Sequence, residues 1–334
     1  MPSDEPANPI DPPVDPLDHY EQFIPKPLPP PHGRLWVQVL LFALTLVSTT
    51  FFGGCHYYNF TLDLASANLP QLATPSATEL FGSPLFYLHG LWYSLTILAI
   101  LGCHEMGHYV ACLRYDVIAT RPFFLPAPVL TGTLGAFIRI KSRIPNKTAL
   151  FDIGIAGPIA GFVVAVPALF LGLMLSRIDK LPQDSSGLVE LGEPLLFKFA
   201  AWLVWGHVAD GYSINMHPMA FAAWFGLLAT ALNLFPIAQL DGGHISYAVL
   251  GAKSTIVTIV MVGVAIFLAT TSTSWIVWTG LLITMIATLG PRHPPTLYDD
   301  EPLDAKRVWL AALAMLILVL CFTPAPIGEF LPPR

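Results

Sequence analysis

Three ionisable residues, His104, Glu105 and His108, lie close together inside a strongly apolar run of the sequence. Ionisable side chains are costly in a membrane interior, so their presence there indicates a function. On a helix, His104 and His108 lie one turn apart on one face and can bind the same metal ion, with Glu105 beside them to act on a water molecule. This is the H-E-x-x-H arrangement of zinc hydrolases. The alternative is a pair of structural histidines with an incidental glutamate.

A catalytic zinc ion needs a third protein ligand and one position open for water. Asp241 is the best candidate, because it follows an apolar run that should end at the same membrane depth as His108. Its alternative role is the N-cap of a helix beginning near Gly242. Asp152 and His244 are weaker candidates: Asp152 would most simply cap the third span, and His244 would lie in a loop. We expect one Zn²⁺ per chain.

The composition indicates a membrane protein. Of the 334 residues, 54% are hydrophobic and 11% are charged, whereas soluble proteins carry about 25% charged residues. The net charge of −6 provides no basic face for phosphates, which argues against a nucleic-acid partner. Four scattered cysteines are too few for a disulfide framework. The expected environment is a lipid bilayer.

Apolar runs of nearly membrane-spanning length predict an all-α polytopic fold with about seven transmembrane helices. The stretch 195–207 is shorter and contains Lys198, so we expect a re-entrant or interfacial segment. A full span there would place Asp241 on the opposite side from the histidines. The seven runs are 35–53, 86–112, 153–176, 216–236, 255–271, 275–290 and 307–323.

Basic residues predict the orientation of the chain. The loop 113–149 contains six Lys and Arg residues and one acid, whereas 54–85 contains no Lys or Arg. By the positive-inside rule the first loop, and the active site near it, face the cytoplasm. Residues 1–34 read as a disordered, proline-rich acidic tail that resembles neither a signal peptide nor a transit sequence. We therefore expect a multi-pass protein of a bacterial plasma membrane.

The sequence resembles the site-2 protease family of intramembrane zinc metalloproteases. The similarity rests on His104–His108, on Leu240–Gly243 and on the Gly-rich segment 155–161 between them, and it covers about 85–295. It implies a membrane-embedded metalloprotease domain over 35–325, with a short tail at 326–334. It also implies that His104, His108 and Asp241 bind zinc and that Glu105 is the catalytic base and acid. Gln239-Leu240 stands where the family often has Asn-Pro.

Two further elements could serve proteolysis. Asn233, eight residues before Asp241, is the family-like donor for a tetrahedral intermediate, or alternatively a helix-packing amide. The segment 132–141 has period-two alternation typical of a strand, whose edge could hold an extended substrate by β-addition. Its alternative role is an ordinary hairpin, and family members have a similar small sheet near the active site. The predicted substrate-binding residues are Gly132, Thr133, Leu134 and Gly135.

The predicted function is a zinc metalloendopeptidase that cleaves within or next to a transmembrane helix of a membrane-anchored protein, as in regulated intramembrane proteolysis. The loop 113–149 is too short for a PDZ-like domain, so we expect none. The alternative is a membrane metal-ion transporter, since His and Asp also line transport pathways. A transporter needs polar residues along a route, and these runs have few outside 102–108 and 233–244. His293 follows the sixth run without an assigned role.

Overall fold

The structure is a computed structural model that describes residues 35–62, 76–129, 131–182 and 189–329. Helices dominate these residues and the strands are short, so the prediction of a mainly helical fold with a small sheet is confirmed. The predicted tail 1–34 lies outside the described residues. The helices are α1 Leu35–Thr61, α2 Ala77–Gly82, α3 Pro84–Arg114, α4 Lys147–Leu175, α5 Leu195–Trp205, α6 Pro218–Leu234, α7 Asp241–Leu250, α8 Ser254–Thr271, α9 Thr273–Leu289 and α10 Ala305–Cys321.

Four helical stretches are long and apolar enough to cross a bilayer: α1, α3, α4 and the continuous run Asp241–Thr271 formed by α7, a short 3₁₀ turn and α8. Helices α6, α9 and α10 occupy the other predicted positions, but each has 17 residues, fewer than the roughly 20 that span a membrane. The structure thus supports a multi-helix membrane protein. The count of seven spans and the re-entrant placement of α5 stay predictions.

The long helices pack closely through small residues. Between α1 and α3, a Cβ added to Gly90 would lie 2.1 Å from the carbonyl oxygen of Thr50, so the two backbones are nearly in contact. A hydrogen bond of 2.7 Å between the hydroxyls of Thr49 and Ser94 joins the same pair of helices. This small-residue packing is typical of membrane helices. It fixes α3, which carries the H-E-x-x-H residues.

Helix α4 packs along α3 and forms the centre of the largest apolar cluster. Its first turn is capped by Asn146, whose side chain accepts a hydrogen bond from the backbone N–H of Ala149. Apolar side chains from every helix from α3 to α10 fill the core around it. Fully buried examples are Ile100, Phe151, Leu169, Trp224, Leu227 and Trp275.

Six strands form three two-stranded antiparallel sheets in the described residues. β1 and β2 make a hairpin with Phe124 opposite Ala136 and a register irregularity between Phe124 and Pro126. β2 covers the first half of the predicted strand 132–141, and Ile140 adds an isolated bridge to Ala119. The strands are β1 Phe123–Pro126, β2 Thr133–Phe137, β3 Arg177–Lys180, β4 Val189–Leu191, β5 Tyr212–Asn215 and β6 Ile327–Glu329, paired β1–β2, β3–β5 and β4–β6.

Candidate metal centre

The two histidines of the motif lie on one face of α3, and both are buried. Their Nε2 atoms are 3.1 Å apart. The carboxylate oxygen Oδ2 of Asp241 lies 3.2 Å from Nε2 of His104 and 3.3 Å from Nε2 of His108. The structure therefore brings the three predicted ligands, which are 137 positions apart in sequence at the extremes, to a single point.

Backbone groups orient the imidazole of His108. Its Nδ1 atom lies 2.7 Å from the carbonyl oxygen of Ile153 on α4. A carbonyl oxygen only accepts hydrogen bonds, so Nδ1 carries the proton and Nε2 is left with its lone pair. A histidine that binds a metal through one ring nitrogen typically donates from the other in this way.

Glycines on α4 leave the space that the histidine rings occupy. A Cβ added to Gly157 would lie 2.1 Å from Nε2 of His108, and one added to Gly161 would lie 3.2 Å from Cβ of His104. A third glycine, Gly154, lies against His244 on α7, at 2.9 Å from its added Cβ to Cβ of that histidine. The glycine face of α4 is therefore the wall of the site.

A tight turn between α6 and α7 returns the chain to the histidines. Asp241 is the first residue of α7, whose N-cap is Leu240, and no side chain caps this helix. The N-cap alternative for Asp241 is therefore wrong. Cβ atoms on Gly242 and Gly243 would lie 2.0 Å from the carbonyl oxygen of Leu234 and 2.2 Å from that of Ala238. Only glycine permits the close approach that places the Asp241 carboxylate beside α3.

The geometry and chemistry of these three groups fit a zinc ion. Tetrahedral zinc with nitrogen and oxygen ligands at about 2.0–2.2 Å requires ligand atoms roughly 3.3–3.6 Å apart. The observed separations of 3.1–3.3 Å are close to that range. Two imidazoles and one carboxylate are a ligand set of catalytic zinc sites, in which a fourth position stays open.

A cavity of about 270 Å³ adjoins the three ligands. Glu105 lines it and is buried, with a 7% exposed surface. Asn233 lines the same cavity, and its Nδ2 atom lies 3.2 Å from Nε2 of His104. Both polar groups therefore face the same cavity beside α3, α4 and α7. The remaining lining residues are Ala136, Phe137, Ile138, Ile140, Ile153, Gln239, Leu240 and His244.

The weaker ligand candidate Asp152 is committed elsewhere. Both of its carboxylate oxygens accept hydrogen bonds from Arg307 of α10, each at 2.7 Å, and Oδ2 also accepts one from Tyr115. Burial, with the Asp152 carboxylate next in importance, raises the pKa of the Tyr115 hydroxyl. Asp152 does not cap α4 either, since Asn146 does so. It joins α4 to the ends of α3 and α10.

The hairpin lies beside the cavity, but the predicted substrate-binding residues do not line it. Gly132, Thr133, Leu134 and Gly135 are absent from the cavity wall, whereas the residues that follow them line it: Ala136, Phe137, Ile138 and Ile140. The backbone of Ile138 faces the Glu105 carboxylate. Period-two alternation identified the strand but gave no information about which part of it reaches the motif.

Sequence reasoning placed His244 in a loop as a weaker ligand candidate and gave His293 no role. His244 lies on α7 instead of in a loop, and it lines the cavity. His293, which had no role, lies against it, with 2.6 Å between Nδ1 of His244 and Nε2 of His293. The position of His244 one helical turn after Asp241 was an available signal. No signal in the sequence joins His293 to it, because the contact crosses 49 positions.

Paired helical histidines, a carboxylate from a distant helix and a buried glutamate form a residue set suited to a metallohydrolase. Residues 92–270 match peptidase family M50. The match covers more than half of the chain, and the chain belongs to this family, the site-2 protease family indicated by its motifs. The family assignment gives no support to the transporter alternative.

Curated relatives agree with the family assignment. The chain is 29% identical over 87% of its length to "Probable zinc metalloprotease EGY1, chloroplastic" of Arabidopsis thaliana, covering 54% of that protein. It is 32% identical over 68% of its length to the protein of the same name in Oryza sativa subsp. japonica, covering 39% of it. It is 29% identical over 80% of its length to "Probable zinc metalloprotease EGY2, chloroplastic" of Arabidopsis thaliana, covering 47% of that protein. The chain thus spans about half the length of these relatives, or less.

Proposed function

We propose that this chain is a zinc metalloendopeptidase that cleaves a peptide bond within or next to a transmembrane helix of a membrane-anchored protein. One observation carries the proposal: the ligand atoms of His104, His108 and Asp241 converge to 3.1–3.3 Å beside the buried Glu105. Membership in peptidase family M50 supports the same reaction. The proposed role in regulated intramembrane proteolysis follows from this class of substrate.

His104, His108 and Asp241 would hold the zinc ion. When bound, zinc polarises a carbonyl group and lowers the pKa of a coordinated water molecule. Glu105 acts on the proton of that water molecule: its carboxylate accepts the proton as the water attacks the scissile carbonyl, and then donates it to the leaving amine. A buried carboxylate in a small cavity is suited to both steps because bulk water does not compete for the proton.

Asn233 supplies a hydrogen-bond donor to the developing oxyanion. Its amide nitrogen lies 3.2 Å from the metal-binding atom of His104, so it lies at the edge of the space where a carbonyl oxygen would approach the ligands. Preorganised donors of this kind stabilise a transition state because charge develops directly against them. In the alternative role, as a packing amide, Asn233 would contribute only its contact with His104 between α6 and α3.

The substrate must be extended at the scissile bond, because a helix hides its peptide carbonyls. Within the described residues β2 pairs only with β1, which leaves its other edge for a peptide strand. We propose that this edge, continuing through Ile138 and Ile140 at the cavity, aligns the substrate. Gly132, Thr133, Leu134 and Gly135 would then contact residues of the substrate farther from the scissile bond.

The chain is proposed to be an integral membrane protein. Its catalytic site would lie near the membrane face that carries the basic loop 113–149. That side is the cytoplasm under the positive-inside rule. The curated relatives carry "chloroplastic" in their names, and no finding supports the prediction of a bacterial plasma membrane.

Metal content and cleavage together test the proposal. We expect about one zinc per chain purified in detergent without chelators, and almost none in His104→Ala/His108→Ala. The zinc-loaded parent should cleave a reporter peptide, a synthetic Leu/Ala-rich transmembrane helix with a helix-breaking centre and a fluorophore–quencher pair. Glu105→Gln should retain zinc and lose cleavage. The proposal would be contradicted by a zinc content that the histidine substitutions leave unchanged, or by cleavage that Glu105→Gln retains.

A further inference from the structure

A chain of hydrogen bonds fixes the protonation of two histidines that are not proposed metal ligands. Nδ1 of His293 lies 2.6 Å from the carbonyl oxygen of Pro294. A carbonyl only accepts, so Nδ1 of His293 carries a proton, and Nε2 of the neutral ring is an acceptor. Nδ1 of His244 lies 2.6 Å from that Nε2 and must therefore donate to it. His244 is thus protonated on Nδ1.

His293 is held in place by its ring contact with Tyr247 and by the attachment of its chain segment. Its ring stacks on Tyr247 at 4.6 Å between ring centres, and burial lowers the pKa of His293, which favours its neutral form. The hydroxyl of Tyr247 donates to Asp299 at 3.0 Å, and Lys147 at the start of α4 pairs with the same carboxylate at 3.6 Å. The segment between α9 and α10 is therefore attached to both α7 and α4.

The result is an acceptor nitrogen at the proposed catalytic cavity. His244 lines this cavity together with Glu105 and Asp241, and Gly154 leaves space for its Cβ on the α4 side. With Nδ1 engaged by His293, the atom with the free lone pair is Nε2. In the part of the chain that the structure describes, no hydrogen bond is made by His244 Nε2.

An extended peptide in the cavity would meet this acceptor. The same cavity is lined by residues at and just after the end of β2 and by residues of the α6–α7 turn and α7. The first group is Ala136, Phe137, Ile138 and Ile140, and the second is Gln239, Leu240, Asp241 and His244. A peptide strand has hydrogen-bonding groups on both edges, and only one edge can pair with the β2 side. Backbone N–H groups on the other edge need an acceptor, because an unpaired N–H is costly away from water.

We infer that His244 is a substrate-contacting residue whose Nε2 accepts a hydrogen bond from a backbone N–H of the extended substrate, and that His293 positions it. This inference rests on the proposed endopeptidase function and names a contact on the substrate edge facing away from β2. The contact is to the backbone, so it selects an extended conformation and not a particular side chain.

Matched substitutions of His244 test this contact. Asn places its amide near the position of Nδ1 and keeps a donor for His293, whereas Gln places an amide oxygen near the position of Nε2. We expect His244→Asn to raise the KM for the reporter peptide about 5- to 10-fold, the effect of one lost hydrogen bond. His244→Gln should restore most of the loss. Zinc content should be unchanged in both, and exposed His207→Asn is the control.

Binding to the inactive Glu105→Gln protein provides a readout that needs no turnover. Reporter peptides N-methylated at single positions near the centre lack one N–H each. N-methylation at one of these positions should weaken binding to Glu105→Gln about 5- to 10-fold. The same N-methylation should have no further effect on binding to Glu105→Gln/His244→Asn, because the acceptor is already absent. Phe at position 293 keeps the stacking on Tyr247 and removes the acceptor for His244, so His293→Phe should weaken binding as His244→Asn does.

The tautomer is measurable without a substrate. Nitrogen-15 NMR of histidine-labelled, zinc-loaded protein, assigned with His244→Asn and His293→Phe, should show both rings protonated on Nδ1. Protonation of His244 on Nε2 would overturn the inference. So would peptide binding that is unchanged in His244→Asn, or a penalty from N-methylation that persists in it. These results can be told apart from failure of the proposed function. In that case Glu105→Gln would still cleave the reporter peptide, or the zinc content would be unchanged in His104→Ala/His108→Ala.

Discussion

Nδ1 of His108 lies 2.7 Å from the carbonyl oxygen of Ile153, so the second turn of α4 orients a side chain of α3. A carbonyl in the first turns of a helix normally accepts from the N–H four residues later, and here it also accepts from an imidazole. The contact requires α3 and α4 to approach closely, which the added-Cβ distance of 2.1 Å between Gly157 and His108 reflects. The close packing of α3 against α4 thus also orients the His108 ring.

Gly157→Ala should therefore remove zinc. The added Cβ would force the His108 ring away from its position, and overpacking of this kind costs about 1–3 kcal/mol of stability. Gly172→Ala is the matched control, since its Cβ would lie 2.3 Å from the backbone nitrogen of Ala220, in the same helix but against α6. We expect both variants to unfold at lower temperature and only Gly157→Ala to lose zinc per folded chain. Equal zinc in the two variants would contradict this account.

Asp241→Asn should weaken zinc binding because an amide oxygen replaces an anionic ligand. We expect the zinc affinity to fall more than the roughly 10- to 100-fold typical of substitutions beside the ligands. Asp152→Asn is the control: it breaks the pair with Arg307, whose Nη2 lies 2.7 Å from the carboxylate, and should lower stability with zinc retained. Competition with a fluorescent zinc chelator measures both affinities. Full zinc affinity in Asp241→Asn would move the third ligand elsewhere.

Asn233→Ala distinguishes an oxyanion donor from a packing amide. Loss of a donor to the transition state should lower kcat about 10²- to 10³-fold with KM and zinc content unchanged. A packing amide would instead affect unfolding. Asn146→Ala serves as the structural comparison, because loss of this N-cap on α4 should cost about 1 kcal/mol of stability with kcat retained. Steady-state kinetics on the reporter peptide and thermal unfolding separate the two.

Much of the site could be predicted from local sequence, because its main elements follow helical periodicity. His104 and His108 share a helix face whatever the tertiary fold, and the apolar run around them sets their environment. Asp241 required a topological argument about the membrane side on which each run ends. That argument depended on α5 not crossing the membrane, which the described structure leaves as a prediction.

The remaining parts were not predictable because they depend on contacts across the fold. Asp152 carries no signal of its bond to Arg307, 155 positions away. The sequence places His244 in a loop because Gly242 and Gly243 are poor helix formers, so the start of a helix after Leu240 is weakly specified. Gly132, Thr133, Leu134 and Gly135 were chosen from alternation, which gives the faces of a strand but not its position along the catalytic helix.

The Asp299 carboxylate should make attachment of the segment between α9 and α10 pH-dependent. Burial raises its pKa, but hydrogen bonds from Thr296 and Tyr247 and the charge of Lys147 outweigh this, so the pKa lies below its usual value. The folded state thus favours ionised Asp299. Its contribution is present above the unfolded pKa of about 4 and is lost as the pH falls through the lower folded value.

Asp299→Asn should remove this dependence. Because the side chain is about one-third exposed at 35%, the ion pair contributes at most about 1 kcal/mol, so we expect a small destabilisation near neutral pH. The difference in unfolding temperature between parent and variant should shrink as the pH falls below about 4. Glu193→Gln, which removes an exposed carboxylate between β4 and α5, is the control for a carboxylate outside this segment. A constant difference between parent and Asp299→Asn from neutral pH to about pH 2 would contradict ionised Asp299 as the attachment.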